Sequence, residues 1–316
     1  MTELSGAKCI LQVTISNCVE FQGVGLHSGA SVSLKILPAP ADHGIVFERI
    51  DVEGKDNTIA ATWKNTEVSP LCTMLRNAHG VSVSTIEHVM AALVGCGIHN
   101  AVLQIDGPEI PILDGSAQPF ASKILSAGVN PLPSPLKVLR VLKEVEYRSG
   151  MAVAKLMPSS KPWMTFDIDF KEQAIGKQSK SLCLSNGSFV RELCASRTFC
   201  RFSDVEAMRE QGLALGGNLK NAVVVNGSDV LSPGGLRHED EAVRHKMLDA
   251  VGDLGLAGMP ILGHYIGHRA GHAVTAGLIK TLFNTSDAFE IVPCTREMHD
   301  MLPGVHASLE EIELVA

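Results

Sequence analysis

The sequence predicts an α+β fold in two domains of similar layered architecture. Three observations carry this reading. Both halves mix antiparallel-looking runs of alternating apolar and polar residues with a few helical patterns. A length of 316 residues favours two domains over one. Between them stands Asn130-Pro131-Leu132-Pro133-Ser134-Pro135, whose prolines fit neither a helix nor a central strand and which reads as a linker. The expected domains are therefore residues 1–130 and 136–316.

In the first half, residues 8–18 alternate as a strand, followed by the turn-like GVGLHSG at 23–29. Strands are expected at 31–37 and 45–49, with short β-like pieces at 71–75 and 81–83. A helix starts at Ser84 or Thr85, where Ser84-x-x-Glu87 fits a capping box, and ends at Gly95 or Gly97. A strand at 99–105, a turn-rich segment at 106–116 and an amphipathic helix at 118–127 complete this half. The second half repeats the style without a clear sequence repeat. Strands are expected at 137–147, 151–157, 163–170 and 221–226, and helices at about 187–195, 239–257 and 271–284. A β-rich stretch covers 260–268, and FEIVP closes as a strand.

Composition narrows the function classes. A net charge of −7 and 4% aromatics argue against a nucleic-acid partner. No run of about 18 apolar residues is present, which argues against stable membrane insertion. The N-terminus lacks the apolar core of a signal peptide. Eight scattered cysteines without a CxxC motif point to a reducing, cytoplasmic compartment.

The helix expected at 239–257 carries the first candidate chemistry. His245 and Asp249 are four apart and share one face. Asp253 lies rotated by roughly 80° from His245, at about 100° per residue. An imidazole and a carboxylate one turn apart can reach one metal ion. The bland alternative is a surface ion pair worth a few tenths of a kcal/mol. His88 is a candidate third ligand, and its neighbour Glu87 a general base. Glu87 has its own bland explanation as the capping-box acid. His264, His268 and His272 form a competing triplet, but glycines precede all three, so a strand or loop ending in a helix at Gly271 is more natural than three ligands on a helix. One of these histidines would serve better as a catalytic acid. The glycine-rich GLALGGNL at 212–219 lacks a GK[ST] ending and reads as backbone packing.

Seven stretches together resemble one family, the zinc-dependent UDP-3-O-acyl-N-acetylglucosamine deacetylases of lipid A biosynthesis. They are GVGLHSG (23–29), STIEHVMAALVGCGI (84–98), PEIPILDGSAQPF (108–120), SRTF (196–199), GLALGGN (212–218), RHEDEAVRHKMLDAVGDL (237–254) and GHAV (271–274). The resemblance implies helices packed between two sheets, with a β-α-β insert in the second domain. It implies one Zn2+ per chain held by His88, His245 and Asp249 with a fourth position open, the arrangement of a catalytic zinc; iron(II) would also suit these ligands. Glu87 would be the base, Thr198 an oxyanion donor, and His272 the acid, oriented by Asp253. Lys246 would lie near the sugar or diphosphate of a UDP-linked acylated amino sugar. The acyl passage would involve residues around 196–216, with Leu213 and Leu215 as walls.

Some positions depart from the family pattern. His99 stands in GIHN where the family often has Asp, GHAVTAG lacks a common Asn, and Cys200-Arg201-Phe202 replaces a more aromatic segment, leaving Arg201 as a phosphate partner. Two rivals follow from the same cleft: a zinc deacetylase of another acylated amino sugar, and a non-catalytic binder of nucleotide sugar or acyl lipid. Oligomeric state and acyl chain length have no sequence signal.

Overall fold

The structure, a computed structural model, describes residues 9–69 and 71–313. The N-terminal residues read as lacking a signal peptide, and the first residue of the strand expected at 8–18, lie partly outside the described residues. Eight α-helices are present among those described: α1 (Glu87–Gly95), α2 (Gln118–Ala127), α3 (Ser188–Glu192), α4 (Phe202–Glu210), α5 (Glu241–Leu254), α6 (His272–Asn284), α7 (Arg296–His299) and α8 (Leu309–Glu313). None is long and apolar enough to cross a membrane.

Two five-stranded sheets share one topology. The first runs Val19–Val24, Ser31–Pro38, Ala101–Ile105, Ile45–Arg49, Thr58–Ala60; the second runs Val145–Ser149, Ala152–Met157, His264–His268, Trp163–Asp169, Lys177–Cys183. In each, the strand that follows a long helix enters the centre, antiparallel to one neighbour and parallel to the other. The architecture is thus duplicated although the residues are not. α1 and α5 are the equivalent helices of the two halves, and they pack against each other between the sheets. α1 is apolar nearly all round, with Val89, Met90, Ala91, Ala92 and Leu93 buried, as a helix covered on every side must be.

Each half carries an insert before its central helix. The first is a small antiparallel sheet of Thr66–Glu67, Met74–Arg76 and Ser82–Ser84. The second is a β-α-β unit, with Phe199–Arg201 parallel to Val223–Asn226 and α4 between them.

Three sequence expectations change. The proline-rich segment is not an unstructured linker: Val129–Pro135 pairs with Leu11–Ile15 in a two-stranded ribbon. Leu136 N–H donates to Ile10 O at 2.8 Å. By alternation the proline positions then face the unpaired edge, where a missing N–H breaks no ladder bond. The capping box does not form either. Ser84 stays in its strand opposite Met74, and Thr85 turns to φ 58°, so the helix opens after Ile86 without a side-chain cap. The strand expected at 137–147 is two strands in different sheets, Lys137–Val141 and Val145–Ser149.

Candidate active site and metal centre

α5 presents His245, Asp249 and Asp253 toward the first turn of α1, and all three are buried. Gly252 makes this approach feasible, because a β-carbon there would meet the Glu87 carbonyl oxygen at 2.1 Å. Glu87 and His88 therefore arrive over α5 as α1 begins. On the other side, Thr85 is held in its left-handed conformation by a hydrogen bond from its hydroxyl to Glu109 Oε1 (3.0 Å). Such a backbone is strained for a β-branched residue and persists only where its surroundings enforce it. Glu109 also accepts from the N–H groups of His27 and Ser28, each at 2.8 Å, tying GVGLHSG to the start of α1.

His88, His245 and Asp249 offer ligand atoms that all lie within 4.8 Å of one another, the one such cluster among the described residues. Asp249 Oδ1 is 3.7 Å from His88 Nε2 and 3.3 Å from His245 Nε2. His245 Nδ1 lies 3.0 Å from Ser196 O and donates to it, leaving the Nε2 lone pair toward Asp249. Burial lowers the His245 pKa to about 4, so the ring is neutral at pH 7. Burial opposes ionisation of Asp249, but its basic neighbours outweigh it, with Lys246 Nζ 2.7 Å from Oδ2, and hold its carboxyl well below the usual range. Asp249 Oδ1 is nevertheless buried without a hydrogen-bond partner. An orphaned carboxylate oxygen between two imidazole nitrogens fits a divalent metal, and this donor set fits zinc. The triad forms a single Zn2+ site per chain.

Next to the triad stands a second cluster of titratable groups. His272, the first residue of α6, places Nδ1 at 3.0 Å from Asp253 Oδ2 and Nε2 at 3.8 Å from Glu87 Oε1. Burial alone would depress the His272 pKa, but the Asp253 and Glu87 carboxylates overcome it and push it up to about 9. Burial raises the Glu87 pKa, against the opposing charges of His272 and His88. Thr73, which carried no motif in the sequence, connects these groups. Its N–H donates to Glu87 Oε2 (3.0 Å), and its hydroxyl bonds Asp253 Oδ1 and lies 3.1 Å from His272 Nδ1. Only the folded insert brings it there.

A cavity of about 890 Å³ opens on this group, with Thr198, His245, Lys246, Asp249 and His272 among its lining residues. Its apolar walls come largely from α4 and the second insert, including Phe199, Phe202, Val205, Met208 and Leu219. Leu213 and Leu215 are not among the lining residues, although Ala214 is. Leu215 is 54% exposed, because its N–H is bonded to His27 O and the two glycine-rich loops pack backbone to backbone. Gly216 approaches Gly25 O so closely that a β-carbon would lie 2.2 Å from it, which makes GLALGGN a packing element, not a phosphate loop.

Two expected substrate contacts line the cavity but are engaged by carboxylates, and two of the expected histidines fall elsewhere. Lys246 turns back to Asp249, Nζ to Oδ2 at 2.7 Å, as its i,i+3 spacing allows. Arg201 lines the cavity, but its guanidinium is held by both oxygens of Asp204, at 2.6 and 3.0 Å. His264 and His268 lie on one strand, with His264 Nε2 2.9 Å from Thr165 Oγ1, and neither joins His272 in a metal cluster.

The family model for UDP-3-O-acyl N-acetylglycosamine deacetylase matches residues 12–284. A UDP-3-O-acyl-N-acetylglucosamine deacetylase of Phenylobacterium zucineum is 44% identical over 282 residues, covering 89% of this chain and 96% of that protein. The enzyme of the same name from Myxococcus xanthus is 42% identical over 309 residues, covering 96% of this chain and 98% of its own. One from Shewanella sp. (strain W3-18-1) is 42% identical over 290 residues, covering 91% and 94%. With its buried metal triad, its duplicated sheets and a match of this extent, the chain belongs to the UDP-3-O-acyl-N-acetylglucosamine deacetylase family.

Proposed function

We propose that the protein hydrolyses the N-acetyl group of UDP-3-O-[(R)-3-hydroxyacyl]-N-acetylglucosamine, releasing acetate in lipid A biosynthesis. The observation that carries this reading is the meeting of the His88–His245–Asp249 triad with Glu87 and His272 beside one large apolar-walled cavity that His245, Asp249 and His272 line. Zinc in the triad supplies Lewis acidity, polarising the amide carbonyl and activating water.

Each remaining role belongs to a side chain. Glu87, with its raised pKa, takes the proton of the attacking water. The Thr198 hydroxyl donates to the oxyanion as the carbonyl carbon becomes tetrahedral. His272, charged at pH 7, gives its proton to the nitrogen as the C–N bond breaks, so the sugar leaves as an amine and acetate remains. Asp253 orients the His272 ring through Nδ1 and favours its charged form. Base and acid are thus separate groups, and positioned groups of this kind contribute about 10²–10⁴-fold each.

Lys246 and Arg201 face the polar part of the substrate, and the α4 walls take its acyl chain. The domains divide at 130–135, with Glu87 and His88 on the first and His245, Asp249 and His272 on the second. All eight cysteines are free, which fits the cytoplasm. The test is acetate release from the UDP-linked substrate, with and without a chelator and after zinc is restored. Chelator-insensitive acetate release, or tight binding without acetate, would overturn the proposal.

A further inference from the structure

We propose that a second cavity, on the far side of the α1–α5 pair, binds an uncharged aliphatic molecule carrying one carbonyl acceptor. This cavity has a volume of about 390 Å³ and shares no lining residue with the catalytic one. That size is within the range of small-molecule sites, roughly 300–1,000 Å³. Its walls come from both halves of the chain. Met90 and Leu93 of α1 face Val251 and Leu254 of α5, and Leu156 and Met164 belong to the second sheet. Trp163, 39% exposed, stands among the lining residues. Apolar surface of this extent holds water poorly, so an apolar body gains by filling it.

Most of the polar groups of the lining are satisfied internally. Asn100 Nδ2 donates to Gln12 Oε1 (2.9 Å), Gln12 Nε2 donates to Asp42 Oδ1 (2.7 Å), and Gly44 N–H donates to Asn100 Oδ1 (2.8 Å). Tyr265, also in the lining, spends its hydroxyl on Thr275 (3.0 Å). His99 differs. Its Nδ1 accepts from Val13 N–H at 3.0 Å, which places the ring proton on Nε2, and that N–H has no acceptor among the described residues. The ring is neutral, because burial and the His299 charge bring its pKa down to about 4. The only formally charged residues in the lining are Asp42 and Lys137, one of each sign. A carboxylate would therefore meet no surplus cation, whereas a carbonyl oxygen meets a free N–H donor. The cavity sits behind the two helices that present the metal ligands, so its occupant would also bridge the halves.

The experiment is calorimetric titration of the zinc-loaded full-length protein with octanamide and, separately, octanoate. Octanamide is expected to bind saturably, one per chain, and octanoate at least about 10-fold more weakly. His99→Leu should weaken octanamide about 5–10-fold, the worth of one hydrogen bond. Met259→Trp, which fills the cavity, should abolish binding. Unchanged acetate release by both variants reports that they are folded. Met208→Trp, which fills the catalytic cavity instead, should leave octanamide binding intact. The proposal is overturned if octanamide does not saturate, if octanoate binds as tightly, if folded Met259→Trp or His99→Leu binds octanamide undiminished, or if Met208→Trp abolishes binding.

Discussion

Gly252 and Glu87 lie so close that a β-carbon on the glycine would sit 2.1 Å from the Glu87 carbonyl oxygen. The contact lies between Asp249 and Asp253 on α5, so it sets the distance between metal ligands contributed by different halves. Gly252→Ala gains about 1 kcal/mol of helix propensity but forces the helices apart, at a cost of about 1–3 kcal/mol for overpacking. We expect a lower melting temperature, reduced zinc content and a loss of activity of about 10²-fold, the order reached by a displacement near 1 Å. Wild-type zinc content and activity in this variant would show that the close approach is dispensable.

The histidine clusters make opposite predictions for metal content. Asp249→Ala or His245→Ala removes one of three converging donors and should weaken zinc by more than about 100-fold, beyond the effect of losing a supporting hydrogen bond. His264→Ala and His268→Ala should retain full zinc after dialysis, because neither residue joins the cluster. Elemental analysis of the dialysed variants separates these cases.

The proposed mechanism puts the alkaline side of the pH profile under the influence of Asp253. In that mechanism the acid form of His272 is the active one, and it is present below its pKa. Removing the Asp253 charge takes away an influence that raises that pKa, so Asp253→Asn should move the alkaline limb of kcat to lower pH. A limb that stays in place would mean that another group donates the proton.

Thr73 bonds Glu87 and Asp253 at once from a third element. Thr73→Val keeps the shape and the backbone bond to Glu87 but leaves Asp253 Oδ1 without its hydroxyl donor. Losing such a bond costs about 1–3 kcal/mol, or about 5–150-fold in kcat if it is felt in the transition state. KM and zinc content should change little, and Thr73→Ser should restore kcat. A change in KM alone would place Thr73 among the substrate contacts instead.

Local spacing in the sequence carried a good deal of this protein. The helix that holds His245, Asp249 and Asp253 was legible because its apolar positions repeat with the helical period, and α2 and α6 for the same reason. α4 was not read as a helix: its apolar Phe202, Val205 and Met208 recur every three residues but line the cavity and are not buried in the core, and within the expected passage at 196–216 the walls were placed at Leu213 and Leu215. The proline ribbon was missed because Pro excludes a central strand but not an edge. Family motifs in the sequence named the residues that meet at the metal. How they meet was decided by tertiary structure, through the missing β-carbon of Gly252, the left-handed turn at Thr85 and the bonds of Thr73. Periodicity states which side chains share a face. The distance between two faces depends on backbone approach and on partners distant in the chain, and no local pattern encodes it.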